Sequence, residues 1–549
     1  MRVWIAFAMV CLLAASVRLS AQTACEALKD AKLDHASVVS AVIQEAALLK
    51  QPPGVPFKIP DIRVPWHCEV TGIARPTTDS EITFLLWLPA KETWNGKYVQ
   101  RGNGGWAGSI QPSALVVPLM RGYAVSATDD GHHTEGVMPD ARWAVGHPEK
   151  LIDFGYRSLH ETARLSKSIL EAYYGKAAAH AYFSGCSDGG REALMVAERY
   201  PEDFDGIVAG APANHWTHHL SGFVWDEIAL NEKPESKITI EQLPVIEKAA
   251  LAACDAQDGV KDGLIEDPRK CRFDPSVLLC KGAPTAECLT QPQIETLNKI
   301  YVGPKNPKTG EQIYPGYEPG GEAEAGGWSV WILGLSLQSL FGNSFMGQAV
   351  HEQTNWDWRT MDFDRDVRLA DEKTAAVLNS YNPDLRSFRD QGGKLIQYHG
   401  WADAAIAPRD SIEFYEKVAT FLNQYPDPRS SNPGDISAFY RLFMVPGLQH
   451  CVGGAGPVSF GNDDIAAALN ATQDDADRDV FLALDRWVTQ GIAPEKLVGT
   501  GKIGADPKTG AGGTALSRPL CAYPAVARYN GRGDTNAAEN FTCVKPPAP

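Results

Sequence analysis

The sequence predicts an α/β fold with a mainly parallel sheet, from three observations. Apolar strand-like runs alternate with amphipathic helical stretches through the first part of the chain. One such run ends in Y-F-S-G-C-S-D-G-G (residues 182–190) and passes at once into the helix-forming R-E-A-L-M-V-A-E-R. Two further strand patterns, residues 393–400 and 438–447, resume only after a long stretch of different character. Gly-x-Ser-x-Gly between a strand and a helix is the mark of a nucleophile elbow, a sharp turn that lifts a serine hydroxyl clear of an α/β-hydrolase sheet. The expected architecture is therefore an α/β-hydrolase fold with a large lid domain inserted after the elbow helix.

At 549 residues the chain exceeds one ordinary core, which suits a large domain carrying an insertion. Residues 22–212 and 393–549 would form the catalytic domain and residues 213–392 the lid. Residues 1–21 hold Arg2, an apolar stretch and L-S-A before Gln22. A charged start, an apolar run and a small residue at a cleavage point read as a removable secretory signal peptide, with an uncleaved anchor as the alternative. No later run has the length and apolarity to span a bilayer. A secreted or periplasmic protein without a membrane partner is expected.

In chain order, residues 24–50 read as a peripheral helix and residues 52–65 as a proline-rich extended segment. E-I-T-F-L-L-W-L-P (81–89) and K-Y-V-Q-R-G (97–102) read as strands, the second feeding the loop G-N-G-G-W-A-G. Glycines there would let a backbone N–H approach a reacting carbonyl, as one half of an oxyanion hole; the alternative is a plain turn. Residues 122–130 form the next buried strand, and residues 158–174 an amphipathic helix leading to the elbow strand. The lid stretch contains Trp216, Trp225, Trp328, Trp331, Phe341 and Phe345, which either line a substrate pocket or form the lid's own core.

Besides Cys11 in the leader there are ten cysteines, an even number that suits five disulfides in an exported chain. Proximity in the chain pairs Cys254 with Cys271, Cys280 with Cys288, and Cys521 with Cys543. The absence of any C-x-x-C pair disfavours a zinc ribbon or a thioredoxin-type centre. A net charge of -16 argues against nucleic acid or an anionic membrane surface as partner.

Ser187 in the elbow is the candidate nucleophile. A serine needs a histidine to take its proton, and that histidine needs an acid to fix its tautomer; in this fold the chain order is Ser, Asp or Glu, then His. Asp403, in H-G-W-A-D just past one late strand, and His450, in P-G-L-Q-H-C just past the next, satisfy that order. His132, His133, His160 and His399 read as structural. Cys186 precedes Ser187 and Cys451 follows His450. If nucleophile and base lie within hydrogen-bond reach, their neighbours are close enough for a disulfide to clamp the two halves of the site together.

A second motif, C-D-A-Q-D-G-V-K-D-G-L-I-E-D (residues 254–267), places Asp255, Asp258 and Asp262 among glycines. Such carboxylates suit a hard, oxygen-seeking cation such as calcium, with backbone carbonyls completing the shell; a solvated acidic loop is the alternative. The spacing is not that of an EF-hand. The ion would be structural, beside the Cys254–Cys271 bridge.

With these residues in view, the sequence resembles the tannase and feruloyl esterase family, which also includes the terephthalate half-ester hydrolases. The likeness rests on the G-N-G-G loop, D-F-G-Y-R-S-L-H (153–160), G-C-S-D-G-G, the aspartate-rich loop, H-G-W-A-D and Q-H-C, and covers nearly the whole mature chain. It implies the lid-bearing hydrolase fold, a Cys186–Cys451 bridge, Cys25 paired with Cys68, and structural calcium held by Asp255, Asp258 and Asp262 with the carbonyls of Val260 and Leu264. It also implies an oxyanion hole formed by the backbone N–H groups of Gly104 and Asp188. The half-ester hydrolases carry a lid arginine that grips a free carboxylate, and the matching stretch W-I-L-G-L-S-L-Q-S-L-F-G-N-S-F has none.

The expected function is that of a secreted serine carboxylic-ester hydrolase acting on small aromatic esters, feruloyl esters of plant cell-wall polysaccharide first. Tannase activity on galloyl esters and half-ester hydrolysis are the alternatives within that class. From another class, the alternative is a non-catalytic protein that binds aromatics or glycans.

Overall fold

The structure, a computed structural model, describes residues 23–49, 62–134, 139–334, 336–426, 435–462, 475–505 and 512–545. Residues 1–21, expected to be a signal peptide, and most of the proline-rich segment 52–65 lie outside the described residues. Two compact units are present. One comprises the described residues of Met1–Asn103, Ala107–Val137 and His147–Phe183, the other those of Gly104–Trp106, Met138–Gly146 and Ser184–Pro549.

The first unit contains strands β1 (Ala36–Gln44), β2 (His67–Ala74), β3 (Ile82–Pro89), β4 (Lys97–Arg101) and β5 (Ala124–Thr128), in the order β1-β2-β3-β5-β4. Pairing is antiparallel from β1 through β3 to β5, and parallel between β4 and β5. A mainly parallel sheet does not describe this part. The connection from Ala74 to Ile82 is too short for a crossover, so β2 and β3 form a hairpin. β4 reaches β5 through the helix Ser113–Met120, and those two strands run parallel.

The helix expected over residues 24–50 is not formed beyond a short turn ending at Asp30; the stretch is mainly β1. Val38, Val39, Val42 and Ile43 are β-branched, and exposure alternates along the first part of the strand. Stiff branched side chains suit a pleated surface better than a helix. The Cys25–Cys68 disulfide ties the start of this segment to β2, with Cα atoms 5.8 Å apart.

The chain enters the second unit within β6 (His180–Cys186), which precedes β7 (Gly206–Gly210), β8 (Lys394–Gly400) and β9 (Tyr440–Val445) in that spatial order. β7, β8 and β9 are parallel, and all five residues of β7 are buried. Fully buried parallel strands read as continuous apolar runs, as G-I-V-A-G does. Amphipathic helices Asp188–Arg199, Pro408–Gln424 and Val480–Gln490 follow β6, β8 and β9.

Between Gly210 and Lys394 the described residues form helices and turns and no strand, notably the helices Trp216–Asn231, Leu243–Cys254, Gln291–Val302 and Leu337–Ser344. Ile246, Leu289, Leu297, Ile300 and Trp328 form their core, which Ala404 and Ala407 of the loop after β8 also join. That loop carries Asp403, so packing of the helical segment bears directly on the site.

All five cysteine pairs are bridged: Cys25–Cys68, Cys186–Cys451, Cys254–Cys271, Cys280–Cys288 and Cys521–Cys543. Among the described residues no helix is long and apolar enough to cross a membrane.

Candidate active site

Ser187 stands at the turn between β6 and the helix Asp188–Arg199, with φ 67° and ψ -122°. A non-glycine residue in that region is strained by roughly 1–3 kcal/mol, which the surrounding structure must hold in place. Its backbone is fixed on both sides: Ser187 N donates to Gly210 O at 3.0 Å, and Ala213 N donates to Ser187 O at 3.1 Å. Two glycines make the turn possible. A Cβ on Gly185 would lie 2.6 Å from Gly189 O, and one on Gly190 only 2.2 Å from Gly210 O.

The hydroxyl meets the histidine that follows β9: Ser187 Oγ and His450 Nε2 are 2.8 Å apart. On the other side of the ring, Nδ1 is 2.8 Å from Asp403 Oδ2. Asp403 is buried, and its Oδ1 accepts from Ala405 N and Ile406 N at 2.8 and 2.9 Å. Burial pushes its carboxyl up, but the charge of His450 and hydrogen bonding from His399 and His450 outweigh burial and hold it well below the usual carboxylate range. The group is a permanent acceptor, which makes Nδ1 the protonated nitrogen of a neutral His450 and leaves Nε2 free to accept from the serine.

The bridge between Cys186 and Cys451 lies beside this contact, with Cα atoms 5.9 Å apart. Cys451 has φ 64°, a second strained position at the site.

A cavity opens at Ser187 and His450. Trp216, Leu220, Phe223, Trp331, Phe341 and Ile406 line it, together with Gly105 and His219. Trp331 meets the His450 ring edge-on with centroids 5.0 Å apart, and Phe341 stacks on Trp331. No lysine or arginine is among the described lining residues. His219 is buried, and its Nδ1 has no hydrogen-bond partner. Burial, opposed by Asp403 and aided by His450 and His399, lowers its pKa to about 3, so the ring is neutral at working pH.

Of the other residues singled out in the sequence, Asp188 is the first residue of the elbow helix, and its buried side chain pairs with Arg191 Nε at 2.5 Å. Its amide therefore belongs to the positive end of the helix dipole. Gly104 precedes Gly105 in the glycine-rich loop, and nothing lies within 4 Å of where its Cβ would be. Trp225 and Trp328 do not line the cavity: Trp225 packs on Phe363, and Trp328 lies in the helical core.

In the aspartate-rich loop, Asp255 accepts from Asp262 N and Gly263 N at 3.0 and 2.9 Å, and Asp258 from Val260 N at 2.9 Å. Asp262 accepts from Leu264 N at 3.2 Å and pairs with Arg518. Burial, and then repulsion from Asp262 and Asp255, push Asp258 up to about 6. Each ionised oxygen retains lone pairs beyond these bonds. The loop's carboxylates and carbonyls are hard oxygen donors of the type calcium takes, but here the carboxylates are engaged by backbone amides of the loop and, at Asp262, by Arg518.

Two residues bear on the site to which the sequence assigned no role in it. His399, read as structural, stands 3.2 Å from Asp403 Oδ2, and His219 faces the cavity from a helix otherwise rich in apolar residues.

A serine on a strained strand-to-helix turn, joined through a histidine to a buried aspartate and opening on a cavity, is the equipment of an α/β-hydrolase that cleaves carboxylic esters. Comparison with known proteins gives the family: residues 68–544 match the model of tannase and feruloyl esterase, and the chain belongs to that family. It is 40% identical to an uncharacterised esterase of Xanthomonas campestris pv. campestris, over 96% of this chain and 92% of that protein. It is 32% identical to mono(2-hydroxyethyl) terephthalate hydrolase of Piscinibacter sakaiensis, over 97% of this chain and 93% of that enzyme. The crystal structure of feruloyl esterase B from Aspergillus oryzae superposes with a TM-score of 0.82 at 26% identity, covering 95% of this chain and all of that one (100%).

Proposed function

We propose that this esterase hydrolyses esters of uncharged aromatic acids, feruloyl and related hydroxycinnamoyl esters first, with Ser187 as nucleophile, His450 as base and Asp403 as its orienting acid. The observation that carries the reading is the Ser187–His450–Asp403 hydrogen-bonded chain at the mouth of an aromatic-lined cavity with no cation among its described lining residues. Ser187 Oγ attacks the ester carbonyl carbon while its proton passes to His450 Nε2. The amides of Gly104 and Asp188 hold the oxyanion. His450 then protonates the leaving alkoxide, and the acyl-serine forms. Water, deprotonated by His450, attacks the acyl carbon, and collapse returns Ser187 and releases the acid.

The acyl group would lie among Trp216, Phe223, Trp331 and Phe341. His219 is the polar group inside that lining besides the triad and its neighbours. As a neutral ring it suits a phenolic hydroxyl, which can both donate and accept, better than a free carboxylate. That favours feruloyl and galloyl esters over a terephthalate half-ester. The similarity to the terephthalate enzyme keeps the half-ester as the rival substrate.

Residues 213–392 would act as the lid that selects the ester. The aspartate-rich loop would bind structural calcium through Asp255, Asp258 and Asp262 with the carbonyls of Val260 and Leu264, and no step of the reaction needs that ion. Export is supported by five disulfides and the apolar leader; a mature protein whose first residue is Gln22 would establish it.

The test is a panel of methyl ferulate, methyl cinnamate, methyl gallate and a terephthalate half-ester. We expect kcat/KM to be highest for ferulate, and Ser187→Ala to abolish turnover of all four. His219→Leu should shrink the ferulate-to-cinnamate ratio by roughly tenfold, the worth of one hydrogen bond in a dry site. A half-ester turned over faster than ferulate would sink the substrate reading, and an active Ser187→Ala protein the mechanism.

A further inference from the structure

His399 sits on β8, four residues before Asp403, and is wholly buried. Its Nε2 has two neighbours, Ile406 O at 3.1 Å and Asp403 Oδ2 at 3.2 Å. A carbonyl and an ionised carboxylate can only accept, so Nε2 must carry the hydrogen. In the neutral ring Nδ1 is then an acceptor, and Ser411 Oγ, 2.6 Å away, must donate to it. Ser411 Oγ in turn accepts from Gln397 Nε2 at 2.6 Å, and Gln397 Oε1 accepts from Tyr440 OH. Every donor along this chain is thereby fixed in direction, and all of its members are buried.

The chain ends at the oxygen that orients His450, since Oδ2 is also the acceptor for His450 Nδ1. It also grips the turn beyond the acid: Ile406 N donates to Asp403 Oδ1, while Ile406 O takes the His399 hydrogen. The acid and its turn are thus held from both faces.

We propose that His399 is a positioning residue for Asp403, with Ser411, Gln397 and Tyr440 bracing its ring from the Nδ1 side. This rests on the role given to Asp403 above. The polarised Nε2–H beside Oδ2 disperses part of the carboxylate charge and keeps that oxygen aimed at His450. Without it, the negative charge bears undiluted on the histidine, and protonation of the triad extends to higher pH. The other titratable groups facing Asp403 are His450, His219 and Tyr317; burial keeps His219 neutral, and Tyr317, held protonated by burial together with Asp226 and Asp403, donates its hydroxyl to Ala405 O at 3.0 Å, so neither supplies the missing donor.

The experiment compares His399→Leu, His399→Gln and Ser411→Ala in the full chain, with methyl ferulate turnover measured from acid to neutral pH and folding followed by circular dichroism. Loss of a buried donor to an anion should lower kcat of His399→Leu by roughly 10- to 100-fold at nearly constant KM. The acid limb of kcat/KM should also move to higher pH. His399→Gln places an amide N–H near the lost Nε2–H and should restore most of the rate and the limb. Ser411→Ala removes the brace at Nδ1 and should show a smaller loss with a smaller limb shift in the same direction. Equal losses in Leu and Gln with an unmoved limb would overturn the proposal in favour of packing alone, as would a folded Leu variant of unchanged kcat. Should His399→Leu fail to fold, Ser411→Ala decides: an unmoved limb and unchanged kcat overturn the proposal. Ser187→Ala, measured alongside, tells failure of this inference from failure of the triad itself, because only the latter leaves it active.

Discussion

Removing the Cys186–Cys451 bridge should cost far more than removing another disulfide, in stability and in rate. The two cysteines are 265 residues apart in sequence, against 8 for Cys280–Cys288. On the chain-entropy relation these loops correspond to roughly 5.5 and 2.5 kcal/mol, a difference of roughly 3 kcal/mol at 25 °C. The catalytic share comes from the backbone. Ser187 and Cys451 both have positive φ, and each such residue stores roughly 1–3 kcal/mol that the bridge helps to hold. Relaxation of one of them would move Ser187 Oγ away from His450 Nε2, and 1.36 kcal/mol is a factor of ten in rate, so kcat should fall by roughly 10- to 100-fold. The assay pairs denaturant midpoints with methyl ferulate turnover for Cys186→Ala/Cys451→Ala and, as control, Cys280→Ala/Cys288→Ala. The control should keep its kcat. Equal stability losses for the two pairs, or a folded Cys186/Cys451 variant of undiminished kcat, would refute the reasoning.

Three other outcomes are expected. Asp403→Asn should lower kcat by roughly 10⁴-fold with a smaller change in KM, because an amide in that position favours the wrong tautomer of His450; steady-state kinetics on methyl ferulate checks it. Chelation should lower the melting temperature while leaving kcat at low temperature nearly unchanged, and an unmoved melt would count against structural calcium. Burial and the neighbouring Glu322 push Glu247 up to about 8 from the ordinary 4.5. Its folded form keeps a proton that the unfolded chain releases, so this contribution is full below about pH 4.5 and is lost as pH rises to about 8. Glu247→Gln, permanently neutral, should flatten that decline in denaturant midpoints taken between pH 5 and 8.5; an unchanged slope would remove Glu247 as its source.

Much of the site is legible in the chain because its rules are local. Gly185 and Gly190 are demanded by a turn with no room for Cβ atoms, and that demand leaves a motif around Ser187. Asp403 and His450 follow from fold order, each lying just past a late strand, and those two are the residues that stand in contact with each other and with Ser187. The cysteines beside Ser187 and His450 carry three-dimensional proximity into the sequence, which is rare. Local reading failed where two elements compete. Residues 24–50 hold enough helix formers to suggest a helix, but pairing with β2 selects the strand.

By itself, then, the sequence determined the elbow, the order of the three polar residues and the number of disulfides, since each depends on backbone sterics or on spacing along the chain. Tertiary structure alone decided the rest. His399 opens H-G-W-A-D, but its role is not written there, because its partners Ile406, Ser411 and Gln397 are ordinary residues that only the return of the chain through β8 and the helix after it brings to Asp403. His219 likewise looks like any helical histidine until burial strips its charge and leaves Nδ1 without a partner at the cavity. Hydrogen-bond direction and desolvation belong to an environment, and no single residue carries its environment in its name.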